Sequence, residues 1–149
     1  MVNYNNSYTF DVATLLKDAG LIKTDGAAQV GGAAAVVNLG AAYAEGVVVI
    51  DVTAIEVDTA SDLYNIILQG SADAAFTAPV NLGMVQLGHT TALAGGSATS
   101  TTGRYYLRFQ NERNGVIYPY IRIYNDVDAT ALATGINYSA WIGKTGEAS

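Results

Sequence analysis

The chain has 149 residues, no cysteine, one histidine and a net charge of −6. That length makes a single domain able to bury roughly 70% of its extended surface, and the missing cysteine excludes disulfide frameworks, thiol nucleophiles and thiolate metal sites. Its thirteen acidic and seven basic residues are little more than half of the about 37 charges usual at this length; much of the outside must be small, polar or tyrosyl, or be hidden against other subunits, and the acidic balance argues against nucleic acid.

The opening "MVNYNNSYTF" has neither a basic n-region nor an apolar h-region, so no secretion signal is expected. In "DVATLLKDAGLI", Val12, Leu15, Leu16 and Ala19 follow helical spacing. With Asp11 as cap and Gly20 as stop, this predicts a short N-terminal helix. The small, glycine-rich "KTDGAAQVGGAAA" then reads as an extended, mobile or clasping arm. The apolar region Ala27 to Val57 is broken by Asn38, Glu45, Asp51 and several glycines, short of the about 20 unbroken apolar residues of a membrane span.

From residue 35 onward, short runs rich in Val, Ile, Thr and Tyr alternate in the period of strands. Strands are predicted at Ala35 to Leu39, Gly46 to Val57, Leu63 to Gly70, Val80 to Leu87, Arg104 to Asn111, Val116 to Asn125 and Ile136 to Ile142. Val48, Ile50, Val52 and Ala54 line up opposite Val49, Asp51 and Thr53, so both faces should be largely covered near the start of that strand, which is expected to be central. The expected organisation is one β-sandwich domain over 1–149: helix and arm in 1–34, β core in 35–142, tail in 143–149. Leu87 to Gly103 is too long for a tight turn.

"GRYYLRFQNERNGVIYPYIRIYN" predicts a β-hairpin turning at Asn114-Gly115. Alternation puts Tyr105, Leu107 and Phe109 with Ile117, Pro119, Ile121 and Ile123 on a core face. The other face collects Arg104, Tyr106, Arg108, Gln110, Tyr118, Tyr120, Arg122 and Tyr124, with neither Lys nor Glu. An ordinary solvated sheet could look like this, because tyrosine favours strands and arginine lays its stem along apolar neighbours. A protein contact surface fits equally, because Tyr and Arg are enriched at interface centres. The interface candidates are Arg104, Tyr106, Arg108, Tyr118, Tyr120, Arg122 and Tyr124. Arg113 brings four of the seven basic residues into this segment.

Catalytic chemistry has little to stand on. His89 sits in an Ala/Ser/Thr-rich loop without an acidic neighbour and reads as a plain loop residue. Asp58 and Asp62 fall short of the six to eight oxygens that calcium takes and read as solvating a tight connection. Asp126 and Asp128 lack the rest of a calcium loop. "GKT" at Gly143 to Thr145 has Tyr138 where a phosphate loop needs its first glycine. Asn5-Asn6-Ser7 and Asn137-Tyr138-Ser139 are chance sequons. The expectation is a protein that is not an enzyme and uses no cofactor and no metal.

The ordered run "TLLKDAGLIKTDGAAQV", "AVVNLG", "GVVVIDVTAIEV", "LQGSADAAFTAPVNLG" and "RYYLRFQNE" resembles the jelly-roll capsid cement (decoration) proteins of tailed bacteriophages, over roughly Phe10 to Tyr124. The resemblance implies an all-β, jelly-roll-like antiparallel sandwich with a short N-terminal helix and an extended arm. It further implies a homo-oligomer, most often a trimer, on the outer surface of the virion, made in the host cytoplasm and partnered by the major capsid protein, with neither nucleic acid nor membrane. The Tyr-rich hairpin and the loop from Leu87 to Gly103 have no counterpart in that pattern. A different class competes: a carbohydrate-binding β-sandwich of a fibre or surface protein, with Tyr118 to Tyr120 as its aromatic platform.

Overall fold

A computed structural model describes residues 14–93, 98–129 and 132–143. Six long strands carry the fold: β7 (Glu45–Ile55), β8 (Leu63–Ser71), β9 (Val80–Gly88), β10 (Gly103–Gln110), β13 (Tyr120–Asp128) and β14 (Ile136–Gly143). Short strands fill the edges: β1 (Leu15–Lys17), β2 (Leu21–Ile22), β3 (Gly26–Ala27), β4 (Gln29–Val30), β5 (Ala33–Ala34), β6 (Val37–Asn38), β11 (Glu112–Arg113) and β12 (Val116–Ile117). They build two five-stranded antiparallel sheets. Sheet A runs β1-β14-β7-β10 with β2 beside β14; sheet B runs β3-β13-β8-β9 with β6 beside β13. The chain passes from A to B after β7, back after β9, to B again before β13 and to A before β14, so most neighbours in sequence lie in opposite layers.

Alternation explains the core. Val48, Ile50 and Val52 of β7 and Ile136, Tyr138 and Ala140 of β14 face Tyr64, Ile66 and Leu68 of β8 and Ile121 and Ile123 of β13, all buried. β7 is central, as expected, and its other side is covered too: Val47 and Val49 lie with Trp141 under Leu15 in a second apolar cluster. Gly83 brings the two free edges together, because any Cβ there would stand 3.1 Å from Leu107.

The predicted helix is not formed over the described part of its span; residues 11–13 lie outside the described residues. Leu15–Lys17 is strand, paired with β14 at Leu15↔Trp141 and Lys17↔Ala140 across an irregularity. A helix would set Leu15 and Leu16 on one side, whereas the strand sends Leu16 into the main core and Leu15 into the second cluster. A helix of about a dozen residues is marginal alone, and the ladder with β14 satisfies the same backbone groups. The arm is extended, as read, and is clasped: β3 pairs with β13, β4 and β5 form a small hairpin through Gly31 and Gly32, and buried Ala28 donates its N–H to Ile123 O at 2.9 Å.

A buried polar line crosses the sandwich beside the arm. Lys17 is 2% exposed, and its Nζ donates to the carbonyls of Tyr138, Asp18 and Gly20 at 2.7, 2.9 and 2.9 Å. It also stands 4.4 Å above the Tyr138 ring. The Tyr138 hydroxyl, coming from sheet A, donates to Asn125 Oδ1 on sheet B, and Asn125 Nδ2 donates to Gly26 O at 3.3 Å. Burial pushes the Lys17 ammonium down to about 8, with the nearby Asp18 charge opposing it.

Candidate contact surface

The seven interface candidates do not share one face. Asn114 and Gly115 make the expected turn, with φ of +54° and +80°, but it joins only β11 and β12, through Glu112↔Ile117 and Arg113↔Val116. β10 pairs with β7 in sheet A, from Gly103↔Val52 to Gln110↔Glu45, whereas β13 pairs with β8 in sheet B, from Tyr120↔Ser71 to Asp128↔Leu63. Two features end the hairpin. Pro119 lacks the N–H that would continue the ladder, and buried Asn111 ties the chain to the 42–44 segment, its Oδ1 accepting Ala44 N–H at 2.8 Å and its Nδ2 donating to Ala42 O at 3.2 Å. Tyr105, Leu107 and Phe109 pack inward as predicted, whereas Ile117, expected in the core, is exposed.

Sheet A therefore presents Arg104, Tyr106 and Arg108 on its outer side. The Arg104 guanidinium lies 5.2 Å from the Trp141 ring, and its Nε is 4.0 Å from Asp51 Oδ1. Tyr106 is 53% exposed. Arg108 borders a shallow groove of about 380 Å³ with Glu45, Leu82 and Gln110, between the two free edges.

Sheet B presents Tyr120, Arg122 and Tyr124. Arg122 is flanked by Phe76, 4.4 Å from the guanidinium carbon, and by Tyr124 at 5.8 Å, and its Nε donates to Gln69 Oε1 at 2.9 Å. Phe76 has φ +54° and is buried. Its turn is braced by Asp73, whose Oδ1 accepts Ser71 Oγ–H and Thr77 N–H, each at 3.0 Å, and whose carbonyl accepts Phe76 N–H at 3.2 Å. One row of the pairing sets Tyr124, Ile67 and Met84 side by side, and Met84 is 50% exposed.

Tyr118 belongs to neither outer face. Its Cβ lies 3.0 Å from where a Cβ on inward-facing Gly70 would stand, next to Leu82. The Tyr118 Cβ is thus set against the inner side of sheet B, whereas Tyr120 begins the outward row of β13. Phe76, Trp141 and Gln69 were not singled out in the sequence; their roles come from neighbours distant in the chain, except that Trp141 alternates with inward-facing Ala140 in β14.

Charge is unevenly spread. Asp25, Glu56, Asp58, Asp62, Asp126 and Asp128 gather with Lys23 at the end where β7 and β13 finish and β8 and β14 begin. Elsewhere among the described residues Asp18, Glu45, Asp51, Asp73 and Glu112 are matched by Lys17, Arg104, Arg108, Arg113 and Arg122. Some acids at the charged end are structural. Glu56 accepts the backbone N–H groups of Thr134, Gly135 and Ala133 at 2.6, 2.9 and 3.1 Å, which holds its carboxyl down at about 2. Asp62 accepts Thr59 Oγ1–H at 2.6 Å and Thr59 N–H at 3.0 Å, so it braces a turn. His89 serves its own loop, its Nδ1 accepting Thr91 N–H at 3.2 Å. Asp58, Asp126 and Asp128 accept no hydrogen bond from the described residues.

In comparisons with known proteins, no family model matches the chain, and no curated protein matches it.

Proposed function

We propose that the chain is a structural, non-catalytic virion protein: a cement protein of jelly-roll type that attaches as an oligomer to the outer surface of a tailed-phage head, against the major capsid protein. The observation that carries this reading is the pair of opposed adhesive faces. Arg104, Tyr106 and Arg108 lie on sheet A, and Tyr120, Arg122 and Tyr124 on sheet B, with the sandwich between them. A molecule sticky on both sides suits bridging, where one face takes the shell or a sister copy and the other takes the next neighbour. Repetition by symmetry then raises avidity over any single contact by about 10² to 10⁴. The sequence resemblance supports the same reading, and low overall charge fits surfaces meant to be covered. The sugar-binding alternative has less support, because the Tyr118 Cβ stands against inward-facing Gly70 while Tyr120 begins the outward row of β13.

The test is co-sedimentation of the purified chain with expanded heads that lack it. Binding should saturate at a fixed number of copies per head and should raise the temperature at which heads release DNA. Arg104→Glu with Tyr106→Ala, or Arg122→Glu with Tyr120→Ala, should fold normally and lower head binding or assembly about tenfold or more. Parent-like binding by both variants would return these faces to ordinary solvated sheet.

A further inference from the structure

Arg122 is fixed more firmly than a solvated arginine requires. Gln69 holds its Nε, and Phe76 and Tyr124 flank its plane. Phe76 in turn sits at φ +54°, a conformation that a bulky residue keeps only where its surroundings impose it. Among the described residues the two terminal amino groups of the guanidinium find no hydrogen-bond acceptor, and no carboxylate lies within 4.0 Å of them. A guanidinium with its stem and plane set and its remaining N–H groups free matches a planar carboxylate. None of the described residues supplies one in cis. Asp126, on the same face of β13, is four residues away, about 13 Å along the strand.

We propose that Arg122 is a carboxylate receptor, and that the carboxylate comes from the acidic end of a second copy of this chain. The proposal deepens the preceding reading and rests on its claim of self-assembly. Charge complementarity selects the occupant: sheet B offers an uncompensated guanidinium, and the excess negative charge of each copy is gathered at one end, where Asp58, Asp126 and Asp128 stand unengaged. The outward row of Tyr124, Ile67 and Met84 beside Arg122 supplies apolar surface to the same contact. Joined head to tail, with Arg122 of one copy against the acidic end of the next, the contact is heterologous and repeats from copy to copy until rotation closes a ring.

Sedimentation equilibrium on the full chain tests this. The parent should associate at about 50 mM NaCl and clearly less at about 500 mM, because the charges are partly exposed. Arg122→Gln should weaken association about tenfold or more, and Arg122→Lys, which keeps charge but loses the fork, should not restore it. The triple variant Asp58→Asn, Asp126→Asn, Asp128→Asn should match Arg122→Gln while leaving the Arg122 packing untouched, so the test survives if Arg122→Gln unfolds. Mixing the two variants is decisive: each keeps one half of the contact, so together they should form one-to-one pairs that neither forms alone. A parent that stays monomeric at low salt, an Arg122→Gln variant that associates like the parent, or a triple variant that does so would each overturn the proposal. Head binding measured in parallel separates failure of this contact from failure of the cement reading: heads bound by a monomer sink the first alone.

Discussion

Between about pH 7.5 and about pH 9.5 the protein should become more stable, and Lys17 is the reason. Its ammonium is withdrawn from water with three carbonyls and an aromatic ring for company and no carboxylate within 4.0 Å among the described residues. Burial lowers its pKa from 10.5 to about 8. Between those values the unfolded chain holds a proton that the folded chain has released, so unfolding takes up a proton and stability climbs with pH. Below about 8 both states are protonated and the penalty is constant. Worked through the window, the gain is about 1.9 kcal/mol, trimmed by solvent screening and early tyrosine ionisation to about 1 to 1.5 kcal/mol. Burial raises the pKa of both Tyr64 and Tyr138. Their ionisation in the unfolded chain therefore removes stability above about pH 10. Urea unfolding followed by tryptophan fluorescence at several pH values reads the profile. Lys17→Met should abolish the rise, while orphaning the carbonyls of Asp18, Gly20 and Tyr138. A parent profile that is flat or falling across the window, or a rise of equal size in Lys17→Met, would refute the assignment.

The neighbouring polar line gives a second test. Asn125→Ala should cost about 2 to 3 kcal/mol by leaving the buried Tyr138 hydroxyl without its acceptor, and Tyr138→Phe in the same chain should recover part of that loss in a double-mutant cycle. Gly135 has φ +84°, and a Cβ there would stand 2.0 Å from Ile22 O, so Gly135→Ala should lower stability by roughly 2 kcal/mol or more in the same urea assay. On the acid side Glu56 stabilises the fold above about pH 4.5, and its contribution is lost as pH falls toward about 2. Glu56→Gln should flatten that part of the profile and speed amide exchange at Ala133, Thr134 and Gly135.

Strands with strict alternation were legible. The predicted spans for β7, β8, β9, β10 and β14 agree with the structure to within a residue or two, because one covered face imposes the period of two whichever partner covers it. Partner choice was not legible. Asn114-Gly115 reverses the chain as local sequence dictates, yet the strands on either side join different sheets, since pairing is decided by β7 and β8, 40 or more residues away. The Leu15-Leu16 pair misled because helical spacing and a strand feeding two apolar layers look alike over so short a run. The contact surface divides in the same way: Tyr and Arg were visible as residue types, but the braces around Arg122 come from Gln69 on β8 and from Phe76 in a strained turn. No spacing announces either.

The double covering of β7 bears on how the fold comes apart. Its backbone is laddered to β14 on one side and β10 on the other, and from Val47 to Ile50 its side chains are buried above and below by separate apolar layers. That stretch has the least access to partial opening, so its amides should exchange only when the whole molecule lets go. Lifetime of this part of the fold is then governed by one global barrier instead of by gradual fraying.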